Sequence, residues 1–143
     1  MIAIGCDHGG IELKGHIINY LESKGIEVKD YGTYTEDSVD YPDCAAPVCK
    51  AVHSGEAENG ILICGTGIGI SIAANKYKGI RAALCSDVYS AKMSKQHNNA
   101  QIICLGGRVT GRELAFMIVD TWLETEFEGG RHEARVAKIH SVE

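Results

Sequence analysis

The chain is 143 residues long, which fits one domain of the usual ~100–150 residues. Hydrophobic residues make up 45% and charged residues 23%, which excludes a disordered chain, and a formal net charge of −5 argues against a general binder of nucleic acid or anionic membrane. No apolar run approaches the ~18 residues of a membrane span, the first residues carry no signal-peptide pattern, and the six cysteines therefore read as thiols of a cytoplasmic protein rather than as disulfides.

Short apolar runs alternate with amphipathic stretches. Residues 2–6 form the first predicted strand, ending at Asp7-His8-Gly9-Gly10. A helix over 11–24 follows, with Ile11, Leu13, Ile17, Ile18 and Leu21 near one face and Gly25 as its stop. The second strand covers 26–31, and the polar stretch 32–43 is the longest loop. The next helix, 43–54, contains Pro47, so it starts late or opens irregularly. Residues 60–64 form the third strand, running into Gly65-Thr66-Gly67-Ile68-Gly69 and a small-residue helix over 70–76. Then come a strand at 80–85, a helix at 86–96, a strand at 100–105 and a helix at 111–127 with Leu114, Ile118 and Trp122 at i, i+4, i+8. Beyond Gly129-Gly130 lies a terminal helix, 131–140. This order predicts an α/β fold: a five-stranded parallel sheet with helices on both faces, one domain over 1–143 with 129–143 as a tail.

In open α/β sheets ligands bind beyond the carboxyl ends of the strands. Strand one delivers Asp7 and His8 there, strand three Cys64 and the glycine loop, and strand five Gly106-Gly107-Arg108. His97-Asn98-Asn99, ending the fourth helix, is expected on the same rim. Closely spaced glycines let successive backbone N–H groups turn inward, so loop 65–69 reads as a nest for a phosphate or a developing oxyanion. The rival dinucleotide fingerprint needs G-x-G-x-x-G after the first strand; here G-x-G-x-G follows the third. A Walker A loop is absent because no G-K-[ST] closes the segment.

Cys64 directly precedes the nest, where a helix N-terminus favours a thiolate, and is a candidate general base or nucleophile. The other cysteines read as buried packing. His97 is an acid–base candidate, and His8 a ligand contact. His16, His53, His132 and His140 fall on predicted helices and read as surface residues. The scattered histidines and the lack of any C-x-x-C argue against a zinc site. Arg131, Arg135 and Lys138 share one face of the tail helix and, with Arg108, suit a phosphate.

Cys6-Asp7-His8-Gly9-Gly10, Asp40-Tyr41-Pro42, the GILICGTGIGISIAAN segment over 60–75, Gly79-Ile80-Arg81-Ala82, His97-Asn98 and Glu128-Gly129-Gly130-Arg131-His132 resemble the type B ribose-5-phosphate isomerases, which are grouped with galactose-6-phosphate isomerase subunits. The resemblance spans essentially the whole chain. It implies a Rossmann-like three-layer α/β/α sandwich and a cofactor-free, metal-independent aldose–ketose isomerisation of ribose 5-phosphate, a step of the pentose phosphate pathway. It also implies a homodimer, in some members a tetramer. By the same resemblance, Cys64 moves the proton between C1 and C2, His97 helps open the furanose ring and Thr66 assists proton movement at the oxygens. Asp7, His8, Tyr41, Gly65, Thr66, Gly67, Ile68, Gly69, Asn98, Arg108, Arg131 and Arg135 line the substrate. The tail is expected to touch a second subunit and to share the active site across the interface.

Other readings compete. A six-carbon substrate such as allose 6-phosphate or galactose 6-phosphate needs only slightly more room. A phosphate-binding module without catalysis would share the nest. A cysteine phosphatase would need C-x₅-R, but Ile70 stands six positions after Cys64.

Overall fold

Apolar side chains on both sides of a strand demand cover on both sides, and that requirement organises this molecule. The structure, a computed structural model, describes residues 1–143. In chain order it comprises β1 (Ile2–Cys6), a 3₁₀ turn (His8–Gly10), α1 (Ile11–Ser23), β2 (Val28–Asp30), α2 (Tyr41–Ser54), β3 (Asn59–Cys64), α3 (Ile68–Ala74), β4 (Ala82–Leu84), α4 (Val88–Gln96), β5 (Ile102–Gly106), α5 (Arg112–Glu124) and α6 (Arg131–His140). All strand pairings are parallel, in the order β2-β1-β3-β5-β4. No helix is long and apolar enough to cross a membrane.

Side chains alternate across the sheet. Ile4, Cys6, Ile61, Ile63, Ile103 and Leu105 face a core closed by Leu13, Ile17 and Leu21 of α1, Ala91 of α4 and Ile118 and Trp122 of α5. Ala3, Leu62, Cys64, Ile102 and Cys104 face the opposite core, closed by Val48 and Cys49 of α2 and Ile70 and Ala74 of α3. The result is a Rossmann-like three-layer sandwich. From β1 the chain leaves over one face toward β2; from β3 it leaves over the other toward β4. The carboxyl ends of β1 and β3 therefore flank a topological switch point, where a crevice must open.

Several element boundaries differ from the sequence expectation. β2 and β4 shrink to three residues each, because they are edge strands paired on one side only. α2 begins at Tyr41 and continues through Pro47. Pro42 sits in the first turn, where its missing N–H has no intrahelical partner, and the Asp43 carbonyl that Pro47 cannot reach belongs to an exposed residue. α3 begins at Ile68, directly after Gly67, whose φ of +80° suits glycine. On α5 the inward face is Ala115, Ile118, Val119 and Trp122, and Leu114 lies on the outer side.

Candidate active site

Three strand-end loops meet backbone to backbone at the switch point. Asp7 directly follows β1, and its Oδ1 accepts the Gly9 N–H at 2.8 Å, which folds residues 8–10 into a tight turn. That turn touches the other two loops. A Cβ on Gly9 would lie 3.0 Å from the Gly65 nitrogen, and one on Gly107 would lie 2.4 Å from the Gly9 carbonyl oxygen. Only glycines allow this approach. β3 and β5 are tied again by Gly107 N–H to Cys64 O at 2.8 Å and Arg108 N–H to Gly65 O at 3.0 Å.

Cys64 is the last residue of β3 and is buried. Its Sγ accepts the Gly67 N–H at 3.1 Å, a contact that favours negative charge on the sulfur. The Ile68 N–H donates to Thr66 Oγ1 at 3.1 Å, fixing that hydroxyl as an acceptor there and leaving its own hydrogen free. The N–H groups of Gly65, Thr66 and Gly69 have no partner within the chain. The nest read from the glycines is therefore partly filled by its own side chains, and the N–H groups that stay unpartnered belong to the turn directly following Cys64.

Walls rise around this floor. The Arg108 side chain packs over Gly65, is exposed and forms no ion pair within the chain. The Tyr41 ring packs on Gly69, where a Cβ would come within 2.7 Å of the ring. The His8 Nδ1 accepts the Val39 N–H at 3.3 Å, which leaves Nε2 to carry the proton of the neutral ring. Loop 31–40 is in turn held by Lys14, a buried lysine whose Nζ donates to Asp30 Oδ1 at 2.8 Å and to Thr33 O at 2.5 Å. Lys14 lies in line with Ile17 and Leu21 on the inward face of α1; a lysine interrupting an apolar stripe was the available sign that it supports something.

The structure thus brings Asp7, His8, Tyr41, Cys64, the 65–69 loop and Arg108 together. It does not bring His97, Asn98, Arg131 or Arg135 to them, which corrects the expectation of one rim. α4 runs antiparallel to the strands, so its end lies at their amino-terminal edge. β5 pairs Ile102 with Gly60 and Gly106 with Cys64. Four strand residues, about 13 Å at ~3.3 Å per residue, separate those two levels, and His97 lies on the far side of the lower one. The loop after α5 passes the same edge, with the Glu128 N–H donating to Gln96 O at 2.9 Å. It delivers α6, on which Arg131, Arg135 and Lys138 are exposed and form no ion pair within the chain.

His132 also departs from expectation: it is 5% exposed, and its Nε2 has no hydrogen-bond partner. Its ring stacks on His97. Burial, with His97, Arg131 and Arg135 nearby, holds its pKa below the ordinary imidazole range, against the opposing pull of Glu128. The Gln96 amide donates to Glu128 at 2.8 Å and keeps that carboxyl below its usual range. His140 is half-buried and engaged on both ring nitrogens. Donor atoms of His97, Glu128 and His132 lie within 4.8 Å of one another, the one such group in the chain. The two rings stack within 11° of parallel, so their in-plane lone pairs do not converge on a single point, as a tetrahedral ion requires.

Known proteins share this sequence and this fold. The family model described as Ribose/Galactose Isomerase matches residues 2–139. The chain is 54% identical over 142 residues to ribose-5-phosphate isomerase B of Escherichia coli, covering 99% of this chain and 95% of that one. The solved ribose-5-phosphate isomerase B of Clostridium thermocellum superposes with a TM-score of 0.97 at 57% identity, covering 99% of this chain and 95% of that one. That of Mycoplasma genitalium, solved with ribulose-5-phosphate bound, superposes with a TM-score of 0.93 at 42% identity, covering 99% and 94%.

Proposed function

The chain belongs to the ribose/galactose isomerase family, and from that premise we propose that it interconverts D-ribose 5-phosphate and D-ribulose 5-phosphate through a cis-enediolate, using a site completed by a second copy of itself. The observation that carries this reading is the buried Cys64 sulfur, directly followed by a turn that keeps unpartnered backbone N–H groups.

The chemistry follows from those groups. Ribose 5-phosphate is mostly a closed ring, so a proton must first move from the C1 hydroxyl to the ring oxygen; His97 of the second subunit performs this transfer. In the open aldehyde, the Cys64 thiolate takes the proton from C2. The C–H electron pair forms the C1–C2 double bond, and the carbonyl pair moves onto O1. Free N–H groups of the 65–69 loop meet that charge, each good donor contributing on the order of 3–4 kcal/mol. Cys64 returns the proton to C1, the O2 proton passes toward O1 by way of the Thr66 hydroxyl, and the ketose forms. Asp7, Tyr41 and Asn98 hold the sugar chain. His8, Arg108, Arg131 and Arg135 bind the phosphate and orient the distant reacting end.

Sharing the site explains why its parts lie at opposite edges of the sheet. Ile68, Ile72 and Leu84 leave apolar surface exposed beside the loop, as an interface between copies would require. All six cysteines are free and five are buried, which suits a reducing cytoplasm.

The test has two arms. The C2 hydrogen of ribose 5-phosphate is expected to exchange with solvent, and Cys64→Ala is expected to lower exchange and turnover by roughly 10²–10⁴-fold. A kcat/KM panel of pentose and hexose phosphates ranks the substrates. Inactive Cys64→Ala and Arg135→Ala chains, mixed under exchange conditions, are expected to regain about a quarter of wild-type activity, since half the dimers are mixed and each of those has one intact site. No recovery in confirmed mixed dimers overturns the shared site.

A further inference from the structure

Arg81 precedes β4 and takes no part in the site described above, yet it holds the turn that carries His97 and Asn98. Its Nε donates to Asn98 O at 2.8 Å, and a terminal guanidinium nitrogen donates to Asn99 O at 2.9 Å. Asn99 is the one non-glycine residue with a left-handed backbone, φ 46°. The fork therefore grips two successive carbonyls across a conformation that a free chain rarely adopts.

Arg81 is itself held. The Arg81 N–H donates to Gln101 Oε1 at 2.8 Å, and the Gln101 amide donates to Gly79 O at 2.7 Å. Its other terminal nitrogen lies 2.6 Å from His140 Nε2. A guanidinium can only donate, so Nε2 accepts and the proton of the ring sits on Nδ1, 2.6 Å from Glu143 Oε1. Glu143 closes the circuit by accepting the Gly79 N–H at 2.8 Å. The last residue of the chain thus returns to the segment that presents Arg81.

We propose that Arg81 is a positioning residue for the reaction: it sets the orientation of His97 and Asn98, and the His140–Glu143 pair locks it in place. The proposal rests on the reading that His97 and Asn98 act on the sugar. A lysine cannot replace the fork, because one ammonium on a flexible stem cannot hold two carbonyls in a fixed plane.

The experiment compares wild type with Arg81→Lys, Arg81→Ala and Glu143→Gln in the full-length chain. For both Arg81 variants kcat is expected to fall by roughly 10²-fold, the penalty of a misplaced catalytic group, while KM rises far less, by about threefold, through the loosened Asn98. Millimolar guanidinium is expected to restore part of the kcat of Arg81→Ala and none of the kcat of Cys64→Ala. Glu143→Gln, an exposed change that keeps the fold, is expected to lower kcat in the same direction by a few-fold. The imidazole resonances of His97 in NMR spectra are expected to shift in all three variants. That signal stands apart from turnover: inactivity of the wild-type chain on every sugar phosphate would refute the proposed function, whereas unmoved His97 resonances refute the role of Arg81. Unchanged kcat in folded Arg81→Ala, or a loss that guanidinium does not relieve, also overturns it.

Discussion

The imidazole rings of His97 and His132 lie face to face, 4.2 Å apart between centroids. Two protonated rings cannot rest there without repulsion, and burial already disfavours charge on His132. This ties the C-terminal arm to the histidine assigned to ring opening.

Stability is expected to fall with acidification because of His132. Its folded pKa lies below the ordinary value of 6.5. Between those two values the unfolded chain binds the proton and the folded chain does not, so the stabilisation present above pH 6.5 is lost as pH falls through the folded value. Urea unfolding at about pH 7.5 and about pH 5.5 is expected to give a larger difference for wild type than for His132→Phe, which keeps an aromatic ring and has no proton to gain. Equal differences would show that His132 contributes nothing to the acid limb.

Lys95 predicts a second pH dependence, on the alkaline side. Its Nζ donates to Asn59 Oδ1 at 2.9 Å and lies over the Trp122 ring, and burial, aided by Arg81, pushes its pKa down from 10.5 to about 8. Below pH 8 both states are charged and the folded state bears the desolvation cost; between about 8 and 10.5 the folded state sheds its proton first and stability rises. Lys95→Met is therefore expected to be more stable than wild type at neutral pH, with the advantage shrinking as pH rises through that window. Guanidinium melts across the range measure it, and a constant advantage counts against the assignment.

Two glycine substitutions are expected to move stability in opposite directions. Gly107→Ala places a methyl 2.4 Å from a backbone carbonyl that cannot rotate away, so the loops of β1 and β5 must separate. A loss of about 1–3 kcal/mol is expected, together with a marked loss of kcat/KM. Gly15→Ala, on the exposed side of α1 with nothing within 4 Å, is expected to gain about 0.5–1 kcal/mol with unchanged turnover. Chemical denaturation and steady-state kinetics on the pair decide both.

Arg108→Gln is expected to raise KM for a sugar phosphate by roughly 10–100-fold, the equivalent of about 1.5–3 kcal/mol for hydrogen bonds to a charged group, with a smaller change in kcat. Its exposed, unpaired guanidinium over Gly65 has no structural partner to lose, so the melting temperature is expected to stay put. A KM unchanged within error removes Arg108 from the phosphate site.

Much of this was legible in the residues. β1, β3 and β5 are near-continuous apolar runs, and Cys64 with its glycine loop announced a strand ending in a backbone turn. The edge strands are shorter than their apolar runs because residues such as Ile26 and Ile80 pack against the core without pairing in the sheet. The placement of His97 depends on something a local pattern does not carry. Its local pattern, a helix end before two asparagines, is correct, but helix direction relative to the sheet decides which edge it reaches. His132 stands on a helix whose residues are mostly exposed, and its burial comes with the tertiary stack on His97, which the local pattern does not carry. Lys14 and Arg81 carry no local signature of their partners, which lie 16 or more residues away along the chain.

The meeting of Gly9, Gly65 and Gly107 leaves the reaction floor made of main-chain atoms, which substitutions at neighbouring positions leave in place. Changes in what the crevice admits then fall to the surrounding side chains, such as Tyr41, Ile68 and Arg108. Such a division lets the walls of the crevice vary while the backbone junction of the three strand ends keeps its shape.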